Sequence, residues 1–476
     1  QGDRPQLPEA RGVIEPKQWI LLPIETKARE LHAKLLLAAM AVERGYGVVL
    51  GEQNAMVRQL AHLPRGLYVD KSIASSKTRH FKRLRRLGYR VAAWCEEGLV
   101  YRDRETYLHQ RISMPSLAEV ERFFCWGEVQ QADLLEKAAA SSAKELAKLV
   151  ATGNPRFDLL RPGYRDLFAE EAQELRERHG DFILINTNFA RYNHFHGEEN
   201  LLKVQRERGN VQMAEQEAFL VAWRDFLGEL YHAFAAMLEP LSRTFPQRRI
   251  ILRPHPSENH QRWQRECEGL DNVTVAFRGN VVPWLQAAKV SIHNSCTTGV
   301  EAYLLDRPVI SYQPVCSEVY DSHLPNAVSH RVCEIDPLIQ AVGAALAGEE
   351  MNGGAEGRRT ARQYITAMDG REASELVLDV IGETNLDLPQ PSGLGHRLGL
   401  ASGHLHLPAL NLARRILRPR TAAYIEQKFP DLTLCELRRE LRRMHEASGR
   451  FSGVRVAPLA YRCYSLTGDS AHPPAV

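Results

Sequence analysis

Short apolar runs, each followed by an amphipathic stretch, recur along most of the chain, and the rhythm restarts once. In the first half Trp19-Ile20-Leu21-Leu22-Pro23-Ile24 reads as a buried strand. A helix over residues 27–44 follows, with Leu31, Leu35 and Ala38 on one face, and Gly45 and Gly47 end it before Val48-Val49-Leu50 opens the next strand. Gly66-Leu67-Tyr68-Val69, Tyr89-Arg90-Val91-Ala92-Ala93-Trp94 and Arg122-Phe123-Phe124-Cys125-Trp126 continue the series. Strands that are apolar throughout, alternating with helices, belong to a parallel sheet covered on both faces.

The second half restarts at Phe182-Ile183-Leu184-Ile185, after a polar helix over 164–179. It runs on through Ile250-Ile251-Leu252, Val273-Thr274-Val275, Val290-Ser291-Ile292 and Pro308-Val309-Ile310-Ser311-Tyr312. Gly153-Asn154-Pro155 and Pro162-Gly163 punctuate the join, so the boundary is expected within 151–163. The expected domains are 13–160, 161–370 and a final extension, 371–476. The fold class is α/β: two doubly wound, Rossmann-like domains facing a central cleft, with a C-terminal helical extension. Ligands in such sheets sit at the carboxyl ends of the strands. Residues 385–403 are rich in Pro and Gly and read as a linker. Residues 434–444 form a helix with a strongly basic face, either solvated and packed on the body or drawn to an anionic membrane surface.

Composition narrows the function classes. The 476 residues suit two or three domains, and 44 % hydrophobic with 25 % charged residues is ordinary globular usage. A net charge of +3 argues against a nucleic-acid binder working through a broad basic face. Eight cysteines are scattered singly with no C-x-x-C, which fits a reducing compartment and no zinc site. There is no run of 18 apolar residues to span a membrane, and residues 1–12 hold no signal-peptide core. The expected location is the cytoplasm, with peripheral contact to the cytoplasmic face of an inner membrane as an option.

Three strand exits carry the candidate binding chemistry. Arg253-Pro254-His255-Pro256 follows a strand, and its prolines stiffen the turn that presents His255 to a phosphate or a base. The plain alternative is a structural turn whose His caps a neighbour. His293-Asn294-Ser295-Cys296-Thr297-Thr298-Gly299 links a strand to a helix, a geometry that aims backbone N–H groups at an anion. Ser295, Thr297 and Thr298 add hydroxyls, Gly299 allows close approach, and Glu301 in the first turn suits ribose hydroxyls. A simple capping box explains the same residues. Asn186-Thr187-Asn188 ends the domain's first strand in a third polar loop, and the coincidence of the three is what favours a nucleotide site.

These segments, with Arg307-Pro308-Val309-Ile310-Ser311-Tyr312, resemble the C-terminal domain of GT-B glycosyltransferases of bacterial surface polysaccharide assembly. More narrowly, the chain is similar to the surface carbohydrate biosynthesis protein group, related to the retaining transferases that use CMP-activated 3-deoxy-manno-octulosonic acid (Kdo). Thr152-Gly153-Asn154-Pro155-Arg156-Phe157-Asp158 and Leu324-Pro325-Asn326-Ala327-Val328-Ser329 add to the likeness, which covers residues 19–346. It implies a nucleotide held by His255, Pro256, Ser295, Thr297, Thr298 and Glu301, with a CMP-sugar donor, a glycan or lipid-linked glycan acceptor and no divalent metal.

Glycosyl transfer also needs help at the leaving phosphate and either a base or a carboxylate nucleophile. Glu96 and Glu97, after the strand ending at Cys95, are the leading candidates, and they resemble a Glu-Asp-Gly loop of the Kdo transferases. The Glu-Glu-Gly here leaves open whether Glu97 is a nucleophile, an acid/base or a binding group, and a solvated surface turn is the plain alternative. Glu25, Lys27 and Arg29 open the first helix, and Asp70 and Lys71 follow the third strand. All are placed to grip an acidic sugar or the acceptor, Asn326 being added from the likeness. His194 and His196 lack the partners of a metal site. The competing functions are a transferase or 2-epimerase using a UDP- or CDP-activated donor, and a non-catalytic nucleotide-binding assembly module.

Overall fold

The computed structural model describes residues 16–101, 104–207, 211, 213–277, 279–349, 351 and 354–469. The polar stretch 1–12 therefore lies outside the described residues.

The first domain is built on β1 (Trp19–Ile24), β2 (Gly47–Glu52), β3 (Leu67–Asp70), β4 (Arg90–Trp94), β5 (Arg122–Cys125) and β6 (Leu149–Ala151). These six are parallel, in the order β2-β1-β3-β4-β5-β6. Because successive residues point to opposite faces, Leu22 and Leu50 enter one core and Leu21 and Val49 the other. Both faces are buried, which is why the strands read as unbroken apolar runs.

The second domain holds β7 (Ile183–Asn186), β8 (Ile250–Arg253), β9 (Val273–Val275), β10 (Val290–His293), β11 (Val309–Tyr312) and β12 (His330–Val332). Its order is β9-β8-β7-β10-β11-β12, all parallel, the doubly wound arrangement of a dinucleotide-binding fold. Two such sheets across a cleft make the GT-B architecture. The connection from β7 to β8 is long and carries the helices Asn200–Glu207, Ala214–Ala236 and Leu238–Thr244, which the apolar pattern had not separated.

The tail returns to the first domain. Thr366 N donates to Trp126 O at 2.8 Å, and buried Asp158 accepts from Ala373 N (2.8 Å), Ser374 N (2.8 Å) and Ser374 Oγ (2.7 Å). The expected linker is only partly extended: from Leu394 it is already the helix Leu394–Leu417. The basic helix spans Leu434–Ser448 and buries Leu437, Leu441 and Met444 against the body, the packed option of the two. The chain then forms β13 (Val454–Ala460) and β14 (Cys463–Gly468), an antiparallel hairpin that pairs with β2 and extends the first sheet. The extension is thus helical in large part but finishes in a sheet.

Candidate active site

In an open parallel sheet the crevice opens where neighbouring strands send their connections to opposite faces. In the second domain that point lies between β7 and β10, and register sets Asn186 directly between His293 of β10 and Arg253 of β8. The three polar loops anticipated from the sequence therefore leave adjacent strands side by side. Asn186 Nδ2 is buried with no hydrogen-bond partner and lines the cleft. Thr187 Oγ1 donates to Glu258 Oε1 (3.0 Å), and Asn188 N donates to Asn294 Oδ1 (2.9 Å).

Glu258, which the sequence reading missed, ties the first two loops together. Besides Thr187 it accepts from Phe189 N (3.0 Å), His255 N (3.0 Å) and Trp263 Nε1 (2.7 Å). Burial raises its carboxyl above the usual range although these bonds oppose the shift. His255 Nδ1 accepts from Ser257 N (3.1 Å), which assigns the ring proton to Nε2. Burial, with Arg29 nearby, pushes this imidazole down to about 3, so at neutral pH it is an uncharged donor lining the cleft beside Pro256. Arg253 also lines the cleft. Its Nη2 donates to Gly279 O (2.5 Å), its guanidinium lies over Trp284, and burial lowers it to about 10.

The third loop opens the helix Thr297–Leu304 with Ser295 at φ 50°, a left-handed turn, and no side chain caps the helix. Ser295, Thr297 and Thr298 line the cleft. Thr298 Oγ1 lies 3.0 Å from Cys296 Sγ. Glu301 is the fifth residue of the helix, past the first turn where it was expected, so the capping-box explanation fails. Its Oε1 is held instead by Arg156 at 2.9 and 2.8 Å, while Oε2 is buried without a partner. Gly299 serves packing: a Cβ there would sit 2.3 Å from Nε2 of buried His293. Asn326 is behind the loop, bonded to Ser295 Oγ (3.0 Å) and Ser311 Oγ (2.7 Å), and braces it from outside the cleft.

Across the cleft, the first sheet has its own switch point between β1 and β3, and the residues leaving those strands are Glu25 and Lys71. They form an ion pair, and Lys428 from the tail joins Glu25 at 3.1 Å. Burial lowers the Lys71 ammonium to about 8. Glu96, leaving β4, is nearly buried. It accepts from Trp94 Nε1 (2.7 Å) and lies 3.9 Å from Lys34, which also pairs with Glu30 at 2.7 Å. Glu97 is 46 % exposed and lines the cleft, paired to Arg111 and 4.0 Å from Arg29. Partial loss of solvent within the cleft opposes its ionisation, but Arg111, Arg29, Lys71 and Arg191 together hold its carboxyl well below the usual carboxylate range.

Two expected contacts of this half lie elsewhere. Lys27 turns to the tail, with Glu436 at 2.7 Å and Asp431 O at 2.6 Å. Asp70 is the buried last residue of β3, accepting from Ser72 N (3.1 Å) and Lys77 Nζ (3.0 Å), and it shapes the turn. His194 and His196 lie tilted against Tyr424 of the tail, ring centroids 5.6 and 4.7 Å away. The cleft measures about 480 Å³. Its far wall is aromatic, with Arg191 3.9 Å over Trp223, and Trp223 parallel to Tyr320. Arg111, Arg156, Arg191 and Lys428 had not been singled out as site residues from the sequence.

No family model matches the chain, and no curated protein matches it significantly. Among solved structures it is similar to UDP-GlcNAc 2-epimerase of Methanocaldococcus jannaschii in complex with UDP-GlcNAc and UDP, at 12 % identity and a TM-score of 0.46, over 77 % of this chain and 99 % of that one. The Neisseria meningitidis UDP-GlcNAc 2-epimerase bound to UDP-GlcNAc gives 13 % and 0.46, over 77 % and 100 %. A structure of a point variant of the wall teichoic acid polymerase TagF with CDPG gives 10 % and 0.49, over 78 % and 89 %.

Proposed function

We propose that the protein is a glycosyltransferase of surface polysaccharide or lipopolysaccharide assembly, moving an ulosonic acid such as Kdo from its CMP-activated form to a glycan acceptor. The observation that carries the nucleotide part is Glu301: a buried carboxylate at the switch-point helix whose Oε2 lacks a partner on the cleft wall. A ribose hydroxyl supplies that partner. Beside it, the uncapped helix N-terminus, Asn186 Nδ2 and the Nε2–H of His255 offer donors to a phosphate.

Support for an acidic sugar comes from the cations on the opposite wall. Arg29, Lys71, Arg111 and Lys428 all line the cleft, and among the described residues of that wall Glu25, Glu96 and Glu97 answer them. In the transfer, the anomeric carbon loses its bond to the phosphate oxygen, which leaves with the electron pair as CMP. The acceptor oxygen ultimately bonds to that carbon and releases its proton. Glu97, held ionised, is a weak base but a suitable nucleophile or stabiliser of the cationic sugar. A retaining outcome follows if it attacks first. Free cysteines at all eight positions are in keeping with a reducing cytoplasm.

A thermal-shift panel of CMP, CDP, UMP, UDP and GDP tests the donor. CMP is expected to stabilise, since a ligand at about 100 times its dissociation constant adds roughly 2.7 kcal/mol. A response to UDP with none to CMP overturns the ulosonic-acid reading.

A further inference from the structure

The helix Leu394–Leu417 carries a stripe of large apolar side chains on the side away from the body. Leu394, Leu398, Leu405, Leu412 and Ile416 are between 59 % and 79 % exposed. Their spacing of four, seven, seven and four residues sets them on one face of the helix. The opposite face docks on the first domain through buried Leu407, half-buried Leu400 and two glycines: a Cβ at Gly399 would meet His62 at 2.2 Å, and one at Gly403 would meet Gln59 at 2.6 Å. The glycines let the backbone approach the body while Leu394, Leu398, Leu405, Leu412 and Ile416 stay exposed to solvent. Most of the exposed large hydrophobic residues of the described chain lie on this one helix.

Its charges are equally one-sided. Between Asp387 and Glu426 the sequence has five arginines (397, 414, 415, 418 and 420) and no Asp or Glu, in a chain that otherwise balances its charges. Arg415, Arg418 and Arg420 are exposed at the end of the stripe. No described helix is long and apolar enough to cross a membrane. A leucine face with a basic end is the pattern of a helix lying in a headgroup layer.

We propose that the Leu394–Leu417 helix docks the protein on an anionic bilayer surface, leucines in the acyl boundary and arginines on the headgroups. The helix that follows, Pro419–Lys428, sets Tyr424 against His194 and His196 and sends Lys428 into the cleft. Docking therefore holds the cleft close to the membrane surface. The inference stands independently of the donor's identity.

The test is flotation of the full chain with vesicles of phosphatidylcholine mixed with phosphatidylglycerol, and with phosphatidylcholine alone. Wild type is expected to float with the anionic mixture and far less with the neutral lipid. The L405E/L412E variant is expected to lose at least about tenfold in partitioning, with its melting temperature unchanged. Arg418→Ala with Arg420→Ala, both exposed, is expected to weaken anionic binding several-fold and leave any neutral binding unchanged. Wild type that stays unbound, or binds both vesicles equally, overturns the proposal. So does a wild-type dimer that L405E/L412E dissociates while neither form floats, which would assign the face to a second copy.

Discussion

Arg156 and Glu301 meet across the seam between the two domains, with Nε and Nη2 of the guanidinium 2.9 and 2.8 Å from the same oxygen, Oε1. The other oxygen, Oε2, is left buried and unpaired on the cleft wall. One half of the carboxylate is anchored and the other is available, an arrangement that suits a group held ready for a ligand.

Breaking that anchor isolates a buried charge. Arg156→Ala is expected to cost about 3–5 kcal/mol, because the uncompensated carboxylate remains. Urea unfolding should show a lower midpoint at unchanged slope, and Glu301→Gln added to Arg156→Ala should recover part of the loss. A change under about 1 kcal/mol would mean the pair behaves as a surface bridge.

Glu97 is expected to be needed for turnover and dispensable for nucleotide binding. Glu97→Gln should lower the rate at least about a hundredfold and leave nucleotide affinity nearly unchanged. Arg111→Ala, by removing the cation paired to Glu97, should raise the Glu97 pKa and move the acidic limb of the rate profile to higher pH. An acidic limb that stays in place would remove Glu97 from the chemistry.

Lys71 sets the alkaline side. Its ammonium, lowered to about 8 by burial, is charged below that pH and neutral above it. Affinity for an anionic donor should therefore fall as pH rises through about 8. Lys71→Arg keeps its charge across this range and should flatten the fall, while Lys71→Gln should bind weakly throughout. A wild-type affinity independent of pH between 7 and 9 (about one unit either side of the Lys71 value) would contradict the role.

The two parallel sheets were legible because doubly covered parallel strands must be continuously apolar, as in Ile20 to Leu22 and Ile250 to Leu252, whereas the strand order that sets the switch points has no local signature. The loop from His293 to Glu301 was legible because its polar residues interrupt a strand–helix junction. Arg111, Arg191 and Lys428 were not, since each reaches the cleft through tertiary crossing and no local period announces it. Gly395, Gly399 and Gly403 misled in a different way. Glycine reads as punctuation, but at four-residue spacing these lie on one face of a helix, and Gly399 and Gly403 let it sit close to its neighbour. The hairpin β13–β14 alternates as an edge strand does, and was hidden behind the basic helix before it.

The central claim is that Glu301 Oε2 receives a ribose hydroxyl, and calorimetric titration of CMP against its deoxyribose counterparts tests it most directly. Wild type should bind CMP and lose at least about tenfold in affinity for the 2′- or the 3′-deoxy form, since a site built to bond a hydroxyl leaves a buried group unpaired without it. Glu301→Gln should weaken CMP binding and narrow that discrimination. No CMP binding, or equal affinity of wild type for CMP and both deoxy forms, would contradict the assignment.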